Sequence, residues 1–410
     1  MTLSEELGWR GFVDQTTYKD ITDLDVRPVP FYWGVDPSSE SMTIGNLAIA
    51  MMIRHFISHG YHAVLLVGGA TGLIGDPDGK SGERELISAA LIKRNKASIV
   101  SEYKRIFAGQ RFEVVDNYDW FKEIGYLAFL REVGKHVPMR QMLGREFIQT
   151  RLSENGSGIS YAEFSYSLIQ GYDFLHLYRD KKVVLQVCGA DQWGNSIAGV
   201  ELIRRIEGAE AHVWSAPLVV NASTGVKFGK SEEGAIWLDE NKTSVYRFFQ
   251  FWLNTDDDSV EVFLKLYTFL DKEAIEKICL EFKQNRGERA AQKVLAYEVT
   301  KLVHGKLKAD AVRKATEVLF GSGDFDELSS ADLTILKKEI PVIKVVHGES
   351  ISAILVKAQL AASNSEANRL ITQGAVMLNG HKILLETKPI LSKGNNLLKR
   401  GRNGFAIIEN

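Results

Sequence analysis

The apolar run Ala63-Val-Leu-Leu-Val67 passes without a break into Gly68-Gly-Ala-Thr-Gly-Leu-Ile-Gly75. A strand that is apolar at every position must bury both faces, and a parallel sheet covered by helices meets that demand. Parallel neighbours cannot be joined by a tight hairpin, because each needs a long crossover. Further runs of this kind stand at suitable distances. Phe31–Val35 ends in the turn-prone Asp36-Pro-Ser-Ser. A helical pattern follows from Ile44 to about His59, with Gly60 as its stop. Val183–Cys188 and His212–Val220 are the remaining strand candidates. Strands that alternate with helices predict an α/β fold on a doubly wound parallel sheet.

From Thr243 to about Phe320 the periodicity changes. Tyr246, Phe249, Trp252, Phe263, Leu264 and Leu270 recur at helical spacings. Gly321-Ser-Gly-Asp-Phe-Asp-Glu then begins a polar connector, and the segment from about Lys344 has the pattern of a small α+β module. The partition is a Rossmann-like domain over 1–225 with an insertion at about 115–180, a loop and all-helical domain over 226–325, a linker over 326–343, and the C-terminal module over 344–410. With 410 residues, 45% hydrophobic and 25% charged, the chain is large enough for this many folded domains.

The formal charge of −2 is uneven, since residues 341–410 hold nine Lys or Arg against four Glu. A basic end on an acidic body fits a polyanionic partner, and equally a solvated basic surface. Cys188 and Cys279 are the only cysteines, too few for a disulfide framework or a zinc-binding spacing. No apolar run approaches the ~18–20 residues of a membrane span, and the N-terminus has no signal-peptide pattern. A cytoplasmic protein with no membrane partner is expected. His55 and His59 are four apart on one helix, but no third ligand stands near them in sequence, so no metal site is expected.

Four segments carry candidate chemistry. After Gly68–Gly75, where backbone can approach a ligand, come Asp76, Lys80 and Arg84. One carboxylate and two cations suit a zwitterion beside a polyphosphate, although turn glycines in a generic nucleotide-binding fold read the same way. Lys227-Phe-Gly-Lys230-Ser231 puts two lysines three apart beside a hydroxyl. Such a loop can follow the charge of departing pyrophosphate, or simply be solvated. Tyr166, Gln170 and Asp173 share one helix face, as a pocket wall or a solvent stripe. Leu185–Asn195 ends a strand and opens a helix, the place where open α/β sheets bind ligands. There Gly189 permits close approach and Asp191 suits a ribose hydroxyl, with a plain helix-starting turn as the alternative.

Taken together these stretches resemble a class I aminoacyl-tRNA synthetase of the bacterial tyrosyl kind. The resemblance rests on Gly68–Pro77, Glu163–Phe174, Asp191-Gln-Trp-Gly-Asn195, Lys227–Ser231 and Val299–Gly305, in family order. Ser365–Gly380 in addition resembles an S4-type RNA-binding module. The resemblance implies an ATP-dependent tyrosine–tRNA ligase acting on L-tyrosine, ATP with Mg2+ and tRNA(Tyr), with no prosthetic group, and a homodimer joined through 115–180. It implies an anticodon-binding role for the helical domain. Tyr32 and Asp173 match the pair that binds the substrate phenol. Asp76, Tyr166 and Gln170 match the ammonium site, and Gln186 lies near the substrate carboxylate. Gly34, Asp36, Ser38, Gly45, Gly189, Asp191 and Gln192 match positions along the adenylate. Thr43, Asn46, Lys80, Arg84, Lys227, Lys230 and Ser231 match the groups that act on the phosphates.

Two positions depart from the family. Its first signature reads His-Ile-Gly-His or His-Ile-Gly-Asn, whereas this chain has Thr43-Ile44-Gly45-Asn46. A hydroxyl in place of an imidazole removes a longer donor that can carry charge, at a cost of about 1.5–3 kcal/mol, or about 10- to 100-fold in rate. Ser38, Ser39, Lys80 and Lys230 are candidates to compensate. Trp33 stands where the family has a small residue, often Cys, beside the adenylate ribose. The two changes define the alternative reading, a non-catalytic relative that binds RNA or a tyrosine-like ligand.

Overall fold

The computed structural model describes residues 1–77, 86–220, 230–231, 234–321, 323–345, 348–384, 391, 394–401 and 404–409. The apolar runs become β1 (Pro30–Val35), β2 (His62–Val67), β4 (Leu185–Gly189) and β5 (His212–Ala216). A further strand, β3 (Phe112–Asp116), joins them at the edge. The five are parallel in the order β3-β2-β1-β4-β5. β3 is not visible as a buried run because all its residues are only partly buried, whereas β5 at the other edge is buried at four of five positions. The chain reverses its direction of travel across the sheet between β1 and β4, which makes that junction the switch point where such sheets bind ligands. The register there sets Tyr32 beside Gln186.

The Ile44–Ser58 helix ends before Gly60, whose φ of +87° is the left-handed geometry that favours glycine. The Tyr161–Lys181 helix lies within the stretch expected as an insertion, yet it covers the sheet. Phe174, Leu175 and Leu177 form one core with Tyr32, Val64 and Leu66. One face of the helix buries against β1 and β2, and the next carries Tyr166, Gln170 and Asp173.

The chain divides into two compact units, 1–243 with 255–295, and 244–254 with 296–410. The helical region expected at 226–325 is therefore shared between them. In the first unit the Val260–Tyr267 helix is tied to the N-terminal Leu3–Arg10 helix by Arg10, which donates to the carbonyls of Lys265, Thr268 and Leu270. Two short strands, β6 (Lys230–Ser231) and β7 (Gly234–Ala235), pair antiparallel and also belong to this unit.

The second unit holds a sheet of β8 (Val342–Lys344), β9 (Val376–Leu378), β10 (His381–Lys382), β11 (Asn395–Arg400) and β12 (Gly404–Glu409), in the order β10-β9-β11-β12-β8. The stretch 326–343, expected as a linker, instead contains the Ser330–Glu339 helix and the start of β8, which pairs with β12. Strand alternation explains the integration. Leu398 and Ile408 face a core with Ile354, Leu355 and Ile371. Leu397, Phe405 and Ile407 face a second core with Val318, Leu319 and Leu336. A sheet apolar on both faces needs cover on both, and the supposed linker provides part of it.

Candidate active site

A cavity of about 420 Å³ opens around the carboxyl ends of β1 and β4 in the first unit. Of the residues singled out in the sequence, it gathers Tyr32, Gly34, Asp36, Ser38, Thr43, Gly45, Asn46, Asp76, Tyr166, Gln170, Asp173, Gln186, Gly189, Asp191 and Gln192. Lys80, Arg84 and Lys227 fall outside the described residues. Of Lys230 and Ser231 only the backbone is described, as β6.

One end is a buried polar pocket. Asp173, 2% exposed, accepts hydrogen bonds from Asn117 Nδ2 at 3.0 Å and Trp120 Nε1 at 2.9 Å. Burial pushes its carboxyl well above the usual range, against the pull of those two donors. The Tyr32 hydroxyl is buried, with no hydrogen-bond partner among the described residues, and so is Gln186 Oε1. Burial, reinforced by Asp173, raises the Tyr32 phenol far above its ordinary value, so it stays a neutral hydroxyl. Buried polar atoms without partners are costly. Two of them converge here on one cavity wall beside a carboxylate.

The next layer is anionic. Tyr166 Oη donates to Asp36 Oδ2 at 2.6 Å, and Thr71 Oγ1 donates to Asp36 Oδ1 at 2.6 Å. Asp76 Oδ2 accepts from Gln192 Nε2 at 2.7 Å and Asn195 Nδ2 at 3.3 Å. Asp36, Asp76 and Asp173 thus line the cavity together, while none of the described lining residues is Lys or Arg. Such a wall attracts an ammonium group. Gly72 and Gly75 line the cavity, but Gly68 and Gly69 play a different part. A Cβ at Gly68 would meet Asp36 Oδ1 at 2.1 Å, and one at Gly69 would meet Asp116 Oδ1 at 2.2 Å. Their bareness makes room for carboxylates of this same chain, not directly for a ligand.

The other end is built on the start of the Ile44–Ser58 helix. Thr43 donates to Asn46 Oδ1 from its backbone N–H at 3.0 Å and from its hydroxyl at 3.1 Å. The one proton of the hydroxyl is thereby engaged inside the helix cap. A Cβ at Gly45 would meet only Thr43 Oγ1, at 3.5 Å, which is ordinary contact. Gly45 thus leaves open space at the cavity wall. The segment after β7 runs alongside: Ile44 N donates to Ile236 O at 3.1 Å and Leu238 N to Met42 O at 2.9 Å. Trp33, 4% exposed, keeps its place on the cavity wall while its ring tilts against Tyr103 at 5.5 Å.

Asn117, Trp120, Asn195 and Thr71 hold the lining carboxylates; Asn117 and Trp120 are absent from the sequence motifs, and Thr71 and Asn195 lie within them with no role assigned. Asn117 and Trp120 follow the overlooked β3, and recognising that strand would have placed them beside its carboxyl end. His55 and His59 both approach Glu6, at 3.1 and 3.7 Å. Among the described residues no group of three or more His, Cys, Asp or Glu is arranged to hold a metal ion. No described helix is long and apolar enough to cross a membrane.

Residues 25–321 match the family model of class I tRNA synthetases (W and Y), and residues 332–408 match that of the tyrosine–tRNA ligase SYY-like C-terminal domain. A tyrosine–tRNA ligase of Bacteroides fragilis is 39% identical over all of this chain and 99% of its own length. One from Bacillus caldotenax is 41% identical over the same shares. The crystal structure of a C-terminally truncated mitochondrial tyrosyl-tRNA synthetase of Aspergillus nidulans superposes with a TM-score of 0.71 at 32% identity, covering 78% of this chain and 94% of that one. The chain belongs to the class I tRNA synthetases of the tryptophan and tyrosine group, within their tyrosine–tRNA ligase family.

Proposed function

We propose that this chain activates L-tyrosine with ATP and passes the tyrosyl group to tRNA(Tyr). The observation that carries the reading is the unpartnered Tyr32 hydroxyl beside the buried Asp173 carboxylate. Together they offer a donor and an acceptor to one phenolic hydroxyl, at the bottom of a cavity otherwise suited to a zwitterion. Asp76, with Tyr166 and Gln170, receives the ammonium group. Gln186 lies beside the carboxylate. Gly34, Asp36, Ser38, Gly45, Gly189, Asp191 and Gln192 line the path of the nucleotide.

The substrate carboxylate attacks the α-phosphate of ATP in line. The bond to the bridging oxygen breaks, and pyrophosphate leaves with its electron pair. The terminal ribose of tRNA then attacks the mixed anhydride and releases AMP. Neither step needs a covalent nucleophile, so positioning and charge stabilisation carry the rate. Mg2+ enters with ATP as part of the substrate and offsets phosphate charge. Lys80, Arg84, Lys227, Lys230 and Ser231 act on the same charge, with Thr43 and Asn46 at the helix start. The helices of the second unit and the basic segment 344–410 serve tRNA binding. The protein works as a cytoplasmic homodimer. Exposed Tyr126, Leu127, Met139, Leu152 and Tyr161, all within the 115–180 stretch, support that region as the interface.

The test is tyrosine-dependent exchange of pyrophosphate into ATP, with the natural protein beside Thr43→His. Exchange by the natural protein is expected. Because the Thr43 hydroxyl is engaged with Asn46, the imidazole should raise the rate about 10- to 100-fold. No exchange by the natural protein would sink the enzymatic reading in favour of a non-catalytic binding protein, and exchange restored by Thr43→His would place the defect at that position.

A further inference from the structure

Glu102 belongs to none of the motifs above. It lies on the Ala89–Ile106 helix and is 3% exposed. Its Oε1 accepts from Ser41 Oγ at 2.6 Å and its Oε2 from Met42 N at 2.8 Å. The same Ser41 oxygen accepts from Asp239 N at 3.0 Å. One buried carboxylate therefore fastens two segments. The first leads directly into Thr43-Ile-Gly-Asn46. The second is the chain returning from Lys230 and Ser231 through β7. The helix that carries Glu102 begins just after Lys80 and Arg84 in the sequence. A surface tie repeats the pattern, since Glu40 reaches Arg94 on that helix at 2.5 Å and Lys242 at 3.4 Å.

A buried carboxylate is a costly way to fill space, and an apolar side chain of similar size often serves stability as well or better. Burial indeed pushes the Glu102 carboxyl upward, opposed by its bonds to Ser41 and Met42. What the carboxylate does that an apolar group cannot is set register: two acceptor oxygens select two donors, and through Ser41 a third.

We propose that Glu102 is a positioning residue for the phosphate side of the reaction, holding the helix start at Thr43–Asn46 in register with the segment that returns from Lys230 and Ser231. This rests on the activity reading above. No part of the link touches Tyr32, Asp173 or Asp76, so it separates nucleotide handling from amino-acid binding.

Glu102→Gln preserves shape but turns one acceptor into a donor facing another donor. The exchange kcat should fall about tenfold or more. The KM for tyrosine should stay within about twofold, and the stoichiometry of tyrosine binding should be unchanged. Ser41→Ala, which cuts the link at its middle, should show the same split, and the double variant should be about as slow as the slower single one. If Glu102→Gln does not fold, Ser41→Ala carries the test alone. An unchanged kcat, or tyrosine binding lost in proportion to activity, would overturn the proposal. If the natural protein itself shows no exchange, the activity reading fails. The link is then read from ATP titrated against tryptophan fluorescence, since Trp33 and Trp237 line the cavity. There Glu102→Gln should weaken ATP binding about tenfold, and equal binding would overturn the link.

Discussion

Asp173→Ala should lower kcat/KM for tyrosine about a thousandfold while leaving the slow activation of phenylalanine nearly as it is. The carboxylate is 2% exposed and held by Asn117 and Trp120, so its position is set before any ligand arrives. Leaving the buried O–H of the substrate without its acceptor costs the bond and the desolvation of the donor together, about 4 kcal/mol, which is roughly a thousandfold. Phenylalanine has no hydroxyl to lose the bond, so its rate is insensitive to the acceptor. The variant also strands the Asn117 amide and the Trp120 indole N–H, at about 1–3 kcal/mol each unless water enters. Its unfolding midpoint must therefore be read beside its kinetics. Pyrophosphate exchange measured with each amino acid decides the matter. Equal falls for tyrosine and phenylalanine would show that Asp173 supports the fold without reading the phenol.

The sheet was legible because its inner strands carry buried, mostly apolar runs, Ala63–Val67 the clearest of them, and that pattern has one common solution. β3 was not, since each of its residues is buried only in part and its Phe-Glu-Val-Val-Asp lacks the signal. The site residues on motifs were legible by type and spacing: Tyr166 and Asp173 do share a buried helix face. Their supports were not. Asn117 and Thr71 act through contacts between segments far apart in sequence, which no local pattern encodes. Glu102 is the same case, being an ordinary charged residue on an amphipathic helix until the fold brings Ser41 against it. The boundary at 326–343 failed for a related reason. Polar residues such as Ser329, Ser330 and Asp332 mark a helix cap as readily as a linker, and the partner face of Leu336 lies on strands that follow much later.

Arg10→Ala should remove about 4 kcal/mol from the stability of the first unit, although Arg10 is remote from the chemistry. Its guanidinium donates to Lys265 O at 2.9 Å, Thr268 O at 3.2 Å and Leu270 O at 2.9 Å, and its Nε donates to Glu6 Oε1 at 2.9 Å. These carbonyls sit at the end of the Val260–Tyr267 helix, where the backbone has no acceptors' partners of its own. Truncation leaves them and the Glu6 carboxylate short of a donor in a site where Arg10 is 3% exposed. Breaking a buried charged pair of this kind costs roughly 3–5 kcal/mol. The effect also carries a pH signature. Burial raises the Glu6 carboxyl, but His55 and Arg10 outweigh that and bring it from 4.5 to about 2. A carboxyl depressed in the folded state adds stability above its unfolded value and loses it as the pH falls through the folded one. His55 depresses the same carboxyl in both proteins, so the gap between natural protein and variant should narrow only over the Arg10 share of the shift, as the pH falls below 4.5 towards about 2, and persist in part because the carbonyl contacts do not titrate. Urea midpoints measured at a series of pH values test both halves. A gap below about 1 kcal/mol at neutral pH would mean that water replaces the guanidinium at the helix end. A gap that does not change with pH would mean that the carbonyls, and not Glu6, are what Arg10 stabilises.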